Sequence, residues 1–185
     1  MRYVIIPGIG GSGPEHWQTL WEQAWGDRAT RISPASWDEP DLDDWCSALD
    51  RAVAASGPDV VLIAHSLGCL AAAAWLGAAK RPGVRGAFLV AAPSVRSPSF
   101  PTAEAGSFVP VEAAPLSVPA LLVSSDDDPY CDPGTAQRLA TAWQAGHVSI
   151  GDAGHINAAS GLAAWDAGQS LLTAFVAGTA NGLSA

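Results

Sequence analysis

The stretch "VVLIAHSLGCLAAAAWL", Val60 to Leu76, constrains the fold more than any other part of this chain. Val60 to Ala64 is short, apolar and largely β-branched, the pattern of a strand buried on both faces. Leu67 to Ala79 is rich in Ala and Leu, which favour helix. A polar pair, His65-Ser66, therefore stands at a strand-to-helix corner, with small residues two positions before and two after the serine, Ala64 and Gly68. A corner this tight needs small flanking residues, and it lifts the serine hydroxyl above the sheet at the start of the next helix. The alternative is that Ser66 does no more than cap that helix.

The rest of the chain alternates in the same way. "YVIIP", Tyr3 to Pro7, reads as a buried strand running into the loop "GIGGSG". "PEHWQTLWEQAW" spaces Trp17, Leu20, Trp21 and Trp25 as one helical face, with Pro14 suited to the start. "ATRISP" is a weaker strand. "PDLDDWCSALDRAVAAS" is an amphipathic helix whose Asp41, Asp43 and Asp44 suit its positive end. "GAFLVAAPS" is a further strand, followed by Pro93 to Pro119, a surface excursion without sustained period beyond one helical turn. Then come the strand "PALLVSSDDDPY", the helix "PGTAQRLATAWQA", the short strand "HVSI", the loop "GDAGHIN" and the closing helix "GLAAWDAGQSLLTAFVAG". About six strands alternating with helices predict a mostly parallel sheet with helices on both faces. Ligands then gather at the carboxyl ends of the strands, where every unusual polar loop of this chain also falls.

At 185 residues, 49% of them apolar, the chain suits one domain over residues 1–185. A net charge of −9 argues against nucleic acid or an anionic membrane as partner. No stretch approaches the length of a membrane span. Cys46, Cys69 and Cys131 have neither disulfide nor zinc spacing, so a cytoplasmic setting is expected.

A serine hydroxyl at neutral pH needs a base to take its proton. His155, after the last strand, stands in the place for that base. His65 is expected to face away from Ser66, His147 to be structural, and His16 either to orient the glycine-rich loop or to start the first helix. The acid should follow the penultimate strand, where "DDD" offers Asp126, Asp127 and Asp128. A carboxylate on the base fixes its tautomer and stabilises its charged form. Asp128 is preferred because Pro129 holds it extended; Asp127 stays a close alternative, Asp126 reads as a solvated turn and Asp152 as loop. The amides of Leu67 and Ile9 are the natural donors to an oxyanion. "GIGGSG" departs from the dinucleotide pattern G-x-G-x-x-G and is followed by no basic residue. Cys69 is expected in the core and Cys131 near the acidic turn, open to solvent.

"PGIGGS…HW", "AHSLGC", "SSDDDPYC" and "GHIN", in that order over nearly the whole chain, resemble the small serine hydrolases of the YdeN and retinoblastoma-binding-protein type. The resemblance implies a compact α/β-hydrolase fold without a lid domain and a Ser66–Asp128–His155 triad. The expected function is a metal-free, cofactor-free serine hydrolase cleaving a small carboxylester, with a small-molecule acyl substrate as partner. The alternatives are a peptidase or amidase with the same triad, or a low-turnover binding protein. The excursion is the expected wall of an open crevice, and Phe100 and Phe108 there fit either acyl contact or core.

Overall fold

The computed structural model of the chain describes residues 1–109, 111 and 113–181. Pro110 and Glu112, within the expected excursion, and residues 182–185 lie outside the described residues.

Six strands form one sheet: β1 (Arg2–Ile6), β2 (Ala29–Arg31), β3 (Val60–His65), β4 (Val84–Val90), β5 (Ala120–Ser124) and β6 (Gly146–Ser149). Their order is β2-β1-β3-β4-β5-β6, and every neighbouring pair runs parallel. The helices between them are α1 (Trp17–Trp25), α2 (Leu42–Ser56), α3 (Leu67–Ala78), α4 (Pro133–Trp143) and α5 (Asp166–Asn181).

The two-residue period of a strand divides the core. Val4, Ile6, Leu62, Ala64, Leu89 and Leu122 face a layer built from α2, α3 and α4. Ile5, Val61, Ile63, Phe88 and Val90 face the layer of α1 and α5. This explains why β3 reads as an unbroken apolar run: both of its faces are covered, and each of its residues is buried. The tryptophans divide between the layers. Trp17, Trp21 and Trp165 pack against one another on one face, whereas Trp45 and Trp143 anchor the other. Truncating a fully buried ring of this size costs about 3–5 kcal/mol. α3 is buried almost all round, which is why Ala dominates it.

Two helix starts differ from the sequence expectation by three residues or more. α1 begins at Trp17 and not at Pro14, because the His16 side chain accepts from the Gln18 amide and caps the helix there. α5 begins only at Asp166; Gly161, Ala163 and Trp165 take left-handed conformations that turn the chain and drop the Trp165 ring into the core. Among the described residues no helix is long and apolar enough to cross a membrane.

Candidate active site

Ser66 leaves β3 with φ 53° and ψ −127°, a conformation that non-glycine residues rarely adopt. Holding it costs on the order of 1–3 kcal/mol and requires the surroundings to enforce it. Two glycines show how. A Cβ on Gly68 would stand 2.4 Å from the Ile6 carbonyl oxygen and 2.5 Å from that of Pro7, so α3 and the end of β1 approach too closely for any side chain. A Cβ on Gly8 would lie 2.8 Å from the Ser66 Cβ, so the loop after β1 passes directly over the serine. Ser66 occupies the N-cap position of α3, yet its hydroxyl makes no capping bond.

The hydroxyl points instead at His155, with 2.7 Å between Oγ and Nε2. On the other side of the ring, Nδ1 lies 2.9 and 3.0 Å from the two carboxylate oxygens of Asp128. Asp128 is buried and also accepts from the Tyr130 amide at 2.9 Å. With Nδ1–H donating to this carboxylate, Nε2 is left bare to accept the serine proton. Three side chains from the loops after β3, β5 and β6 thus form one continuous row.

Asp127, the close alternative, is used elsewhere. Its Oδ1 accepts from the Ser125 hydroxyl at 2.7 Å and from the Gly154 amide at 2.6 Å, and these bonds hold its carboxyl below the usual range. Asp126 accepts from the Ser149 hydroxyl, and Asp152 is exposed in its loop. Asp127 and Ser125, whose Oγ accepts from the Ala153 amide at 2.8 Å, therefore tie the loop carrying His155 to the end of β5.

His65 corrects the expectation that it faces away. Its Nε2–H donates to the His155 carbonyl oxygen at 2.9 Å, and its ring lies 5.0 Å from that of His155. Burial first, then the neighbouring histidines, depresses its pKa well below the ordinary value, so it is neutral and free to donate. His16 combines both roles expected of it: it caps α1 and lines the crevice. Burial, followed by the charge of Arg31, lowers its pKa to about 4. His147 is structural, bridging Ser124 and Gln137.

The glycine-rich loop has its own supports, none of them visible as motifs. The fully buried Gln18 donates to the carbonyls of Ile6 and Ile63, at 3.2 and 2.9 Å, and accepts from Ser12. Arg31 reaches the carbonyls of Gly11 and Ser12 while paired with Glu22. Trp17 donates to the Ile156 carbonyl at 2.8 Å, bracing the His155 loop from α1. The signal for Gln18 was in the sequence: a polar residue on the helical face of Trp17 and Trp21 needs buried partners.

A crevice of about 690 Å³ opens over Ser66. It is lined by Gly8, Ile9 and Leu67 beside the serine, His155 behind it, and Pro93, Phe100, Pro101, Glu104 and Tyr130 opposite. Leu67, the first residue of α3, has an amide free of the helical ladder by position. Ile9 is partly exposed on the loop over Ser66. Phe100 lines the crevice and is also packed in the core, whereas Phe108 is wholly core, edge-on to Trp45. A second groove of about 980 Å³ includes Asp128 in its lining but neither Ser66 nor His155. Cys131, expected to be open to solvent, is buried, and burial with the nearby Asp128 charge pushes its thiol up to about 12. Cys69 is buried and donates to the Val90 carbonyl. Among the described residues, no group of three His, Cys, Asp or Glu could hold a metal ion.

The sequence profile of the serine hydrolase family matches residues 3–174. A YdeN-like hydrolase from Pectobacterium atrosepticum is 34% identical, covering 96% of this chain and 91% of that one, with a TM-score of 0.84. The ydeN product of Bacillus subtilis is 22% identical, covering 96% and 100%, with a TM-score of 0.73. The esterase domain of a Rhodothermus marinus protein is 22% identical over 92% and 84%, with a TM-score of 0.67. No protein with a curated description matches the chain. The likenesses show the small α/β-hydrolase fold that the order of motifs implied.

Proposed function

The chain belongs to the serine hydrolase family, and from that premise we propose that it cleaves small carboxylesters through an acyl-enzyme on Ser66. The observation that carries the reading is the unbroken row from Ser66 Oγ to His155 Nε2 and from His155 Nδ1 to Asp128. As Ser66 Oγ attacks the carbonyl carbon, His155 takes its proton, and Asp128 stabilises the imidazolium that forms. The negative charge growing on the carbonyl oxygen is met by the amides of Leu67 and Ile9, each such donor being worth about 3 kcal/mol. His155 then protonates the departing alcohol. Water, deprotonated by the same ring, releases the acid and restores the serine. Every proton is moved by protein groups, so the cycle calls for no metal or cofactor.

The strained Ser66 supports this over helix capping, since a cap would need neither the left-handed backbone nor the buried carboxylate. Three unpaired cysteines support a reducing compartment such as the cytoplasm. The test is labelling with a fluorophosphonate probe and turnover of a short p-nitrophenyl ester. The wild type should be modified at Ser66 and hydrolyse the ester. Ser66→Ala should be inert to the probe and slower by about 10⁴-fold or more. A folded wild type that is neither labelled nor active would overturn the proposal, and a panel of matched amides separates an esterase from an amidase.

A further inference from the structure

Because the sheet is wholly parallel, every loop that follows a strand lies at one edge and every loop that precedes one lies at the other. The charges divide between these edges. At the edge bearing Ser66, the loop after β2 carries Asp38 and Glu39, and the loop after β5 carries Asp126 and Asp127. The loops after β1 and β6 add Glu15 and Asp152, all six side chains belonging to exposed residues. Arg96 is the only Lys or Arg in any of these loops, and it lines the second groove and not the crevice. Arg31, the last residue of β2, is committed to Glu22 and to the glycine-rich loop.

The opposite edge is basic. Arg2 and Arg85 lie at the starts of β1 and β4, Arg28 directly precedes β2, and Lys80 and Arg81 precede β4. The acids Asp50 and Asp59 pair with Arg81 and Arg85 there, and Asp27 stands beside Arg28, so bases outnumber acids at that edge by a small margin.

Within the crevice the asymmetry narrows to one residue. Glu104, exposed on the excursion, is the only Asp, Glu, Lys or Arg among the described residues that lines it. His16 and His65, which also line it, are kept neutral by burial. Beside them stand the rings of Phe100 and Tyr130, and an aromatic face attracts a cation. One solvent-facing carboxylate at the mouth, on an edge whose loops carry mostly acidic side chains, raises the local concentration of cations over anions.

We infer that the crevice selects acyl substrates carrying a positive charge, with Glu104 as the residue that reads it, and that it turns away anionic ones. This rests on the hydrolase reading above and adds the substrate class to it. A substrate whose acyl chain ends in an ammonium group is drawn in by the rim and held by Glu104. The isosteric uncharged chain receives neither aid, and a chain ending in sulfonate is repelled.

Three p-nitrophenyl esters of one acyl length, ending in trimethylammonium, tert-butyl or sulfonate, test this at low ionic strength. The expected order of kcat/KM is cation, then neutral, then anion, with about tenfold separating the first two. Added salt should compress the series, since charges more than about 10 Å apart are screened at 0.1 M. Glu104→Gln, a change at an exposed position, should lower the cation-to-neutral ratio severalfold. A neutral ester equal to or better than the cation at low salt overturns the inference, as does a ratio that Glu104→Gln leaves unchanged. Labelling of Ser66 by matched cationic and neutral phosphonates gives the same comparison without turnover. If neither labels Ser66 the hydrolase reading itself falls, whereas equal labelling by both removes the charge selection alone.

Discussion

On one side of the crevice, the loop carrying His155 is fixed from four directions. His65 holds the His155 carbonyl, Trp17 the next carbonyl, and Ser125 and Asp127 the two amides before it. On the other side, the wall from Pro93 to Glu104 is held largely by its own short turns. Ser97 bonds back to Ser94, Phe100 to Ser97 and Glu104 to Pro101; across to the loop after β5 run only the Ser94 amide to Tyr130 and the long Ser97 hydroxyl bond to Pro129, among the described residues. Phe100 is its principal buried anchor. The wall that would move protons is thus over-determined, and the wall that would meet the acyl group is lightly tethered. Position of a base relative to a nucleophile tolerates little error, because a displacement of about 1 Å can cost 10²-fold in rate. An acyl pocket has no such demand.

The sharpest way to break this comparison is at the corner itself. Gly68→Ala places a methyl within 2.4 Å of the Ile6 carbonyl, and backbone cannot rotate aside as a side chain would. Either β1 or the corner must shift. Kinetics with a short ester should show a loss of about 10²-fold or more in kcat. Chemical denaturation should show a stability loss of about 1–3 kcal/mol, the usual cost of overpacking. A Gly68→Ala protein with wild-type kcat would mean that the tight approach does not set the serine.

The braced side should also be the acid-sensitive side. His16 has a folded pKa of about 4, well under the 6.5 of an unfolded histidine, and His65 is depressed as well. Between these values the unfolded chain binds more protons than the native one, so stability falls as pH drops from 6.5 towards 4. Above 6.5 the two states carry equal charge at these sites and the effect vanishes. For His16 the full loss is about 3 kcal/mol, at about 1.4 kcal/mol per unit. Unfolding free energy measured across this range should show the slope, and His16→Asn, which keeps a helix-capping acceptor, should flatten it. An unchanged slope in that variant would mean that other groups govern the acid limb.

How much of this was legible in the sequence divides along the same line. The strand, the corner and the His155 loop carry local signals: an apolar run, small residues at fixed spacing, a His after the final strand. The placement of Asp128 against Asp127 could be ranked but not settled, because the two differ in which group of the loop after β6 reaches them, the Gly154 amide for Asp127 and the His155 ring for Asp128. His65 was misread, since nothing local tells a strand-end side chain that its acceptor is a carbonyl 90 residues further on. The excursion was legible only as an absence of period. Whether Phe100 or Phe108 met the crevice depended on how turns fold the chain back over α2 and α3, and that is tertiary information.

His65 offers a finer probe of the braced wall. If its bond to the His155 carbonyl positions the base, His65→Leu should lower kcat about tenfold with KM little changed, while His65→Gln, which keeps a donor, should recover much of the loss. A tenfold change corresponds to about 1.4 kcal/mol, within the worth of one buried hydrogen bond. A leucine variant that melts earlier but keeps its kcat would make the contact structural and no more.

The lightly held wall should give the smallest effect on chemistry and the opposite kinetic split. Phe100 is both crevice lining and core, so Phe100→Leu keeps an apolar anchor while changing the shape that an acyl chain meets. KM for a short-chain ester should rise by about two- to fivefold, in line with the roughly 1 kcal/mol of a methylene-scale change in an apolar pocket, and kcat should stay near wild type. Phe108→Leu is the control, because that ring packs on Trp45 outside the crevice: it should lower stability and leave KM alone. Were Phe100→Leu to reduce kcat and leave KM unchanged, the two walls would not be independent, and the excursion would have to be counted among the groups that place His155.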